Sequence, residues 1–185
     1  FLCGYDDMLA HFGFADWSLY ESREVHGPNW KVAYDGYRDF YHVPILHGRS
    51  FGPDMSHQPD YYSWGPHVRV TAPANYVEQA NKPEQEWNDA DLTPGVWTIF
   101  PNVSIAGGRR GRGGGQGSYM FSQMFPGATP GESVTTQNFL AFGSPDEVDE
   151  QGIKDYMSLM VDVVRDWWQR WYGPPKKKQP LKKEK

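Results

Sequence analysis

One stretch of the chain gathers side chains able to bind a metal. It runs from Asp35 to His47, with Asp39, His42 and His47 as ligand types at short spacing. At about 100° per residue, these three fall within an arc of roughly 140° on an ideal helix. A bend at Pro44 would swing the second imidazole toward the first. Two imidazoles, one carboxylate and open positions are the arrangement that holds non-haem iron(II) for oxygen activation. Zinc is the generic competitor, but the His-Glu-x-x-His spacing of zinc peptidases is absent. The structural alternative is a helix whose His42 and His47 only satisfy buried hydrogen bonds under an aromatic core. His11, His26, His57 and His67 stand apart in sequence and read as surface or capping residues. Cys3 is the one cysteine, which excludes a disulfide within the chain and any site built from two of its thiolates.

The elements around this stretch can be read from periodicity. Tyr5 to Phe14 suits a short helix, and Trp17 to Val25 alternates as a strand. Gly27-Pro28-Asn29 is a turn, with Asn29 as N-cap of a helix that starts at Trp30 and runs past Tyr41 to a bend at Pro44. Gly48 to Asp60 is a loop, Tyr61 to Thr71 a strand, and Asn75 to Pro94 an acidic, partly helical insertion. Val96 to Ile105, broken at Pro101-Asn102, then Ser118 to Phe125 and Ser133 to Phe142, complete the strands. Ser144-Pro145-Asp146-Glu147 has the form of a capping box that opens a helix to about Tyr172. Its apolar stripe runs through Ile153, Tyr156, Met157, Met160, Val164, Trp167, Trp168 and Trp171. Antiparallel strands closed by a long C-terminal helix imply an α+β fold.

Composition limits the function classes. The chain has 185 residues, enough for one domain, and aromatics supply 16% of them. No apolar run approaches the roughly 20 residues of a membrane span. Residues 176–185 hold six lysines and one glutamate, so the rest of the chain sits at −10. An acidic body argues against a broad phosphate-binding surface, and we expect neither nucleic acid nor membrane as partner. The lysine tail over 173–185 reads as disordered, since Leu181 alone cannot offset its ordering entropy. Gly107 to Gly117, with Arg109, Arg110 and Arg112, reads as a flexible hairpin loop. The opening Phe1, with no targeting segment before the fold, suggests a piece of a longer cytoplasmic protein.

Asn29-Trp30-Lys31, followed by Asp39-x-Tyr41-His42-x-x-x-x-His47, resembles the signature of a known family. That family is the catalytic domain of Rieske non-haem iron oxygenases, the aromatic-ring-hydroxylating dioxygenase alpha subunits. Ile99-Phe100-Pro101-Asn102 resembles its Phe-Pro-Asn strand, and Met124-Phe125-Pro126 a second recurrent strand end. The similarity spans most of Leu2 to about Asp166.

The resemblance implies more than the spacing does. His42 and His47 would be ligands of a mononuclear Fe2+. Asp39 would not bind the metal but would hydrogen-bond a ligand histidine and carry electrons from a cluster in a neighbouring subunit. Spacing alone would make Asp39 the third ligand; a carboxylate that orients a ligand histidine is physically ordinary, and we follow the family. Asp35 would lie near the iron. The third ligand should be an aspartate far downstream, and Asp166, 119 residues after His47, is the nearest candidate, with Gln169 a partial echo of the family pattern. On an unbroken helix Asp166 would share a solvated face with Asp155 and Asp162, so a bend near Arg165 is expected.

The Cys-x-His and Cys-x-x-His pairs of a Rieske domain are missing, so this chain cannot hold the 2Fe–2S cluster that the complete protein would contain. The expected architecture is a helix-grip (START-like) fold: a curved antiparallel sheet around a long C-terminal helix. Residues 1–172 would form the catalytic domain. Trp97, Phe100 and Phe121 would line a pocket for an apolar, aromatic substrate. With O2 and electrons from a ferredoxin or reductase, the complete protein, a homotrimer, would hydroxylate that substrate. The alternative from another class is a non-catalytic helix-grip module that binds hydrophobic ligands.

Overall fold

The computed structural model of the protein describes residues 1–51, 59–71, 83, 86, 95–110, 116–144, 146 and 148–171, without the side chains at 109, 110, 116, 165 and 167–171. His57, the acidic insertion apart from Pro83 and Glu86, Arg112, Pro145 and Glu147 of the expected capping box, and the lysine tail lie outside the described residues.

Among the described residues, seven antiparallel strands form one sheet. They are β1 (Trp17–Gly27), β2 (Asp60–Trp64), β3 (His67–Thr71), β4 (Gly95–Ile99), β5 (Val103–Arg110), β6 (Gln116–Pro126) and β7 (Ser133–Phe142). The order across the sheet is β1-β7-β6-β5-β4-β3-β2. Each consecutive pair from β2 to β7 is a meander, and β1 returns to lie beside β7. The helices are α1 (Tyr5–Ala10), α2 (Trp30–Arg38), α3 (Val43–Leu46), α4 (Gly48–Phe51) and α5 (Glu150–Trp171).

Alternation divides the sheet into two faces. On β7 every second residue from Ser133 to Ala141 is buried. Phe139 and Ala141 pack with Met120 of β6 against Ile153 and Met160 of α5. The opposite face carries Trp97, Ile105 and Tyr119, covered by Tyr5 and Phe12 of the N-terminal segment. Phe12 stands edge-on to Trp97 at 5.1 Å between centroids, and Tyr5 lies 5.7 Å from the same indole. One sheet thus supports a core on either side. A third cluster, Phe40 and Val43 against Val68 and Val70, ties the α2–α3 segment to β3.

Several expectations about the elements need revision. The predicted strand from Tyr61 to Thr71 is two strands, folded at Gly65, whose φ is 55°. The helix from Trp30 does start on an Asn29 cap, whose side-chain oxygen accepts from the Lys31 N–H at 2.9 Å. It ends at Arg38 rather than bending at Pro44, because Asp39 is extended. Proline lacks the N–H that a helix interior needs but fits a first turn. The chain breaks at Asp39 and restarts with Pro44 in the first turn of α3. Part of the predicted 48–60 loop is helical, as α4. The last helix opens at Glu150, six residues after Ser144, and Asp149 caps it by accepting from the Gly152 N–H at 2.9 Å.

Candidate metal centre

The restart at α3 decides where the two histidines go. His42 stands at its N-terminal end and His47 at its C-terminal end. Their rings face each other nearly edge to face, with centroids 5.2 Å apart and planes 78° apart. Two imidazoles that share one ion through bonds of about 2 Å have centroids roughly 5 Å apart. The spacing therefore fits a shared ion. His47 is only 2% exposed, and its Nδ1 is buried without a hydrogen-bond partner. Burial first, and then the neighbouring His42 ring, push the His47 imidazole down to about 4, while Asp166 pulls the other way. At neutral pH the ring is uncharged, the form a metal requires.

Asp166 reaches this ring from α5. Its Oδ2 lies 3.9 Å from His47 Nδ1, beyond hydrogen-bonding range, and accepts from Ser50 Oγ at 3.3 Å. No break in α5 brings it there, since α5 is one unbroken helix. Asp166 follows Leu159 by seven residues, about 20° off in angle on an ideal helix. Leu159 packs against the core beneath α5. Asp166 sits at the border of the buried stripe, and the expected bend near Arg165 is unnecessary.

Asp39 lies beside His42 rather than between the rings. Its Oδ2 is 3.5 Å from His42 Nδ1 and its Oδ1 accepts from the Tyr41 N–H at 2.8 Å. The side chain is 51% exposed. Asp35 is exposed on α2 and does not line the cavity described next; its carbonyl accepts from the Asp39 N–H at 3.0 Å. Among the described residues, no group of three or more histidine, cysteine, aspartate or glutamate side chains is closed into a cage. The candidate groups meet in pairs: His42 with His47, and His47 with Asp166.

His42 and His47 open on a cavity of about 440 Å³ between the sheet and the helices. Its walls include Phe40, Val96, Met120, Met160 and Val163. Trp97, Phe100 and Phe121 do not line it, contrary to expectation. Register explains the error. Val96 pairs with Ala106, and Ala106 with Met120, all on the cavity side; Trp97 pairs with Ile105, and Ile105 with Phe121, one residue out of step and on the other face. Phe100 lies just past the end of β4 and is 47% exposed.

One other histidine, His67, also differs from expectation. His67 is fully buried rather than on the surface. Its Nδ1 accepts from the Phe100 N–H at 3.1 Å and its Nε2 lies 2.9 Å from the Phe1 carbonyl, which defines a neutral ring with the proton on Nε2. It also stacks on Tyr5. It is a structural pin between the N-terminus and the β4 end. His26, exposed on β1, borders the cavity.

Over residues 14–171 the chain matches the family described as "Ring hydroxylating alpha subunit (catalytic domain)". No curated protein sequence matches it. Its fold is similar to crystal structures of the quaternary ammonium Rieske monooxygenase CntA. With the L-carnitine complex the TM-score is 0.59 at 15% identity, covering 89% of this chain and 40% of that one. With the apo form it is 0.56 at 14% identity, covering 90% and 41%. The chain therefore spans about two-fifths of the length of these structures, and at such identity the likeness is one of fold.

Proposed function

The chain belongs to the ring-hydroxylating alpha-subunit catalytic-domain family, and from that membership and the site geometry we propose that it is the iron-binding, substrate-binding part of an oxygenase. In this reading His42, His47 and Asp166 hold a mononuclear Fe2+, which supplies dioxygen activation when bound. The observation that carries it is the pair of imidazoles 5.2 Å apart, one of them with a buried, unpartnered Nδ1, at the wall of an apolar cavity.

Each residue has its task. His47, held neutral by burial, offers a lone pair without first losing a proton. Asp39 is placed to accept from His42 Nδ1–H, which would orient that ring and raise its basicity. Being half exposed, Asp39 can also meet a donor from outside the chain, in keeping with electrons delivered from a Rieske 2Fe–2S cluster of a neighbouring subunit. That arrangement requires a ring of subunits, most simply a homotrimer, and a ferredoxin or reductase as electron source. Val96, Met120 and Met160 hold an apolar substrate against the histidine wall and keep water out.

The test is metal binding by the purified chain under anaerobic conditions with iron(II). About one iron per chain is expected, and His42→Ala should lose most of it. Iron retained in full by His42→Ala would refute the site. A non-catalytic ligand-binding module remains the second reading, favoured by the lack of a closed three-residue cage among the described residues. It predicts ligand uptake by the cavity and no iron in either protein.

A further inference from the structure

A polar row crosses the inner face of the sheet beside the apolar cavity. Register sets Arg23 of β1 opposite Gln137 of β7, and Gln137 opposite Ser122 of β6. Arg23 Nε donates to Gln137 Oε1 at 2.8 Å. Gln137 Nε2 donates to the Tyr37 hydroxyl at 3.2 Å, and that hydroxyl donates to Ser122 Oγ at 3.3 Å. Tyr37 reaches down from α2, so helix and sheet are joined through this chain of bonds.

The row fixes the orientation of one amide. A guanidinium has only donors, so the carboxamide oxygen of Gln137 must face Arg23 and its nitrogen must face Tyr37. That nitrogen carries two hydrogens. Tyr37 takes one, and no described residue takes the other. Gln137 is 1% exposed and lines the cavity. Behind it Arg23 Nη2 is buried without a hydrogen-bond partner. No aspartate or glutamate is among the described residues of the cavity wall; the carboxylate that acts on Arg23 is Glu21, exposed on β1.

We propose that Gln137 is a substrate-orienting donor, and that the cavity selects apolar molecules that carry an acceptor oxygen, a carbonyl or carboxylate. Plain hydrocarbons leave the second N–H of Gln137 unpaired in a buried place, which costs binding. An ammonium group has only donors to offer the second N–H of Gln137, and would stand near the half-buried Arg23 guanidinium. The inference rests on the reading of this cavity as the substrate site. Gln137 would set which end of the molecule faces the sheet, and so which carbon is turned toward His42 and His47.

The test is binding to the metal-free 185-residue chain, read by calorimetry with acetophenone, benzoate, ethylbenzene and benzylammonium as probes. Acetophenone and benzoate should bind roughly five- to tenfold tighter than ethylbenzene, and benzylammonium weakest. Gln137→Glu keeps a partner for Arg23 but removes the N–H donors, and should abolish the preference. Gln137→Met should do the same and decides the matter if the glutamate variant fails to fold. Tyr37→Phe leaves the donors in place and should keep the preference. Equal binding of acetophenone and ethylbenzene by the unsubstituted chain, or an undiminished preference in a folded Gln137 variant, would overturn the assignment. Iron(II) binding is measured on the same proteins. A chain that takes no iron yet prefers acetophenone refutes the oxygenase reading alone, and one that binds iron without the preference refutes this inference alone.

Discussion

His47 Nδ1 and Asp166 Oδ2 face each other at 3.9 Å across the gap between α3 and α5, too far for a hydrogen bond and with the histidine nitrogen buried and unpartnered. A buried polar atom left unpaired costs about 1–3 kcal/mol, so the gap is maintained at the expense of stability. A shared cation is the simplest group that would satisfy both sides. It would also join two segments that are 119 residues apart in sequence.

Asp166→Ala should weaken iron(II) binding by one to two orders of magnitude while leaving the chain folded. The variant removes the proposed ligand from a partly exposed position, where truncation creates no cavity; the Asp166 side chain is 22% exposed. Ser50→Ala, which removes only the hydrogen bond to the carboxylate, should weaken binding less. Anaerobic iron titration of the two variants checks the order. An unchanged affinity in Asp166→Ala would remove that residue from the site.

Asp39→Asn separates orienting a ligand from being one. The carboxylate lies against His42 Nδ1, not between the two rings. The variant should keep iron at near-normal affinity and lose turnover in the complete protein, through slowed reduction of the metal. Rapid-mixing measurement of iron reduction by the reduced cluster reads this directly. Loss of iron itself would instead make Asp39 a ligand, as its spacing to the histidines suggested.

The strands were legible where one face is buried along the whole length: β7, from Ser133 to Phe142, keeps its alternation without a slip. Asn29 as a cap was legible because its chemistry is local. The break at Asp39 was not, since the apolar spacing of Tyr37, Phe40 and Tyr41 continues the helical period and only Pro44 argues against it. The histidine pair was visible from spacing, but the edge of the helix that carries Asp166 was misplaced. That edge depends on Leu159 and Val163, whose burial beneath α5 is tertiary. His67 was missed because what holds it is the Phe1 carbonyl and the Phe100 N–H, both distant in sequence. The Asp149 cap on the Gly152 N–H is equally local in sequence, but the Ser144-Pro145-Asp146-Glu147 pattern stands upstream of it and was read as the helix start.

Two tyrosines, Tyr5 buried and Tyr156 half-buried, set an alkaline limit to stability. Burial raises Tyr5 and Tyr156 well above the usual phenol range, and their hydroxyls donate to the Val68 and Ala106 carbonyls. A phenol whose pKa is higher when folded than when unfolded favours the folded state fully below the unfolded value of about 10. That contribution is lost as pH rises beyond it, because the unfolded chain ionises first. Stability measured by denaturant titration should therefore fall steadily above about pH 10. Tyr156→Phe should cost about 1 kcal/mol at neutral pH and flatten the alkaline fall. An unaltered slope in both Tyr5→Phe and Tyr156→Phe would mean that neither hydroxyl is responsible.

Neighbouring residues on β4 should respond in opposite ways, because alternation sends them to different cores. Val96 faces the cavity, whereas Trp97 is 1% exposed among Tyr5, Phe12 and Tyr119 on the other face. Val96→Phe adds bulk to a space of about 440 Å³, so it should weaken ligand binding at least severalfold with little change in melting temperature. Trp97→Ala empties the centre of a packed aromatic cluster, and such truncations cost about 3–5 kcal/mol. It should lower stability by that order; Trp97→Phe, which keeps an aromatic ring in the cluster, should lose less and leave ligand affinity unchanged. Thermal melts and ligand titration of Val96→Phe and Trp97→Phe make the comparison. Loss of affinity in Trp97→Phe, with none in Val96→Phe, would place the binding cavity on the face of the sheet covered by the N-terminal segment.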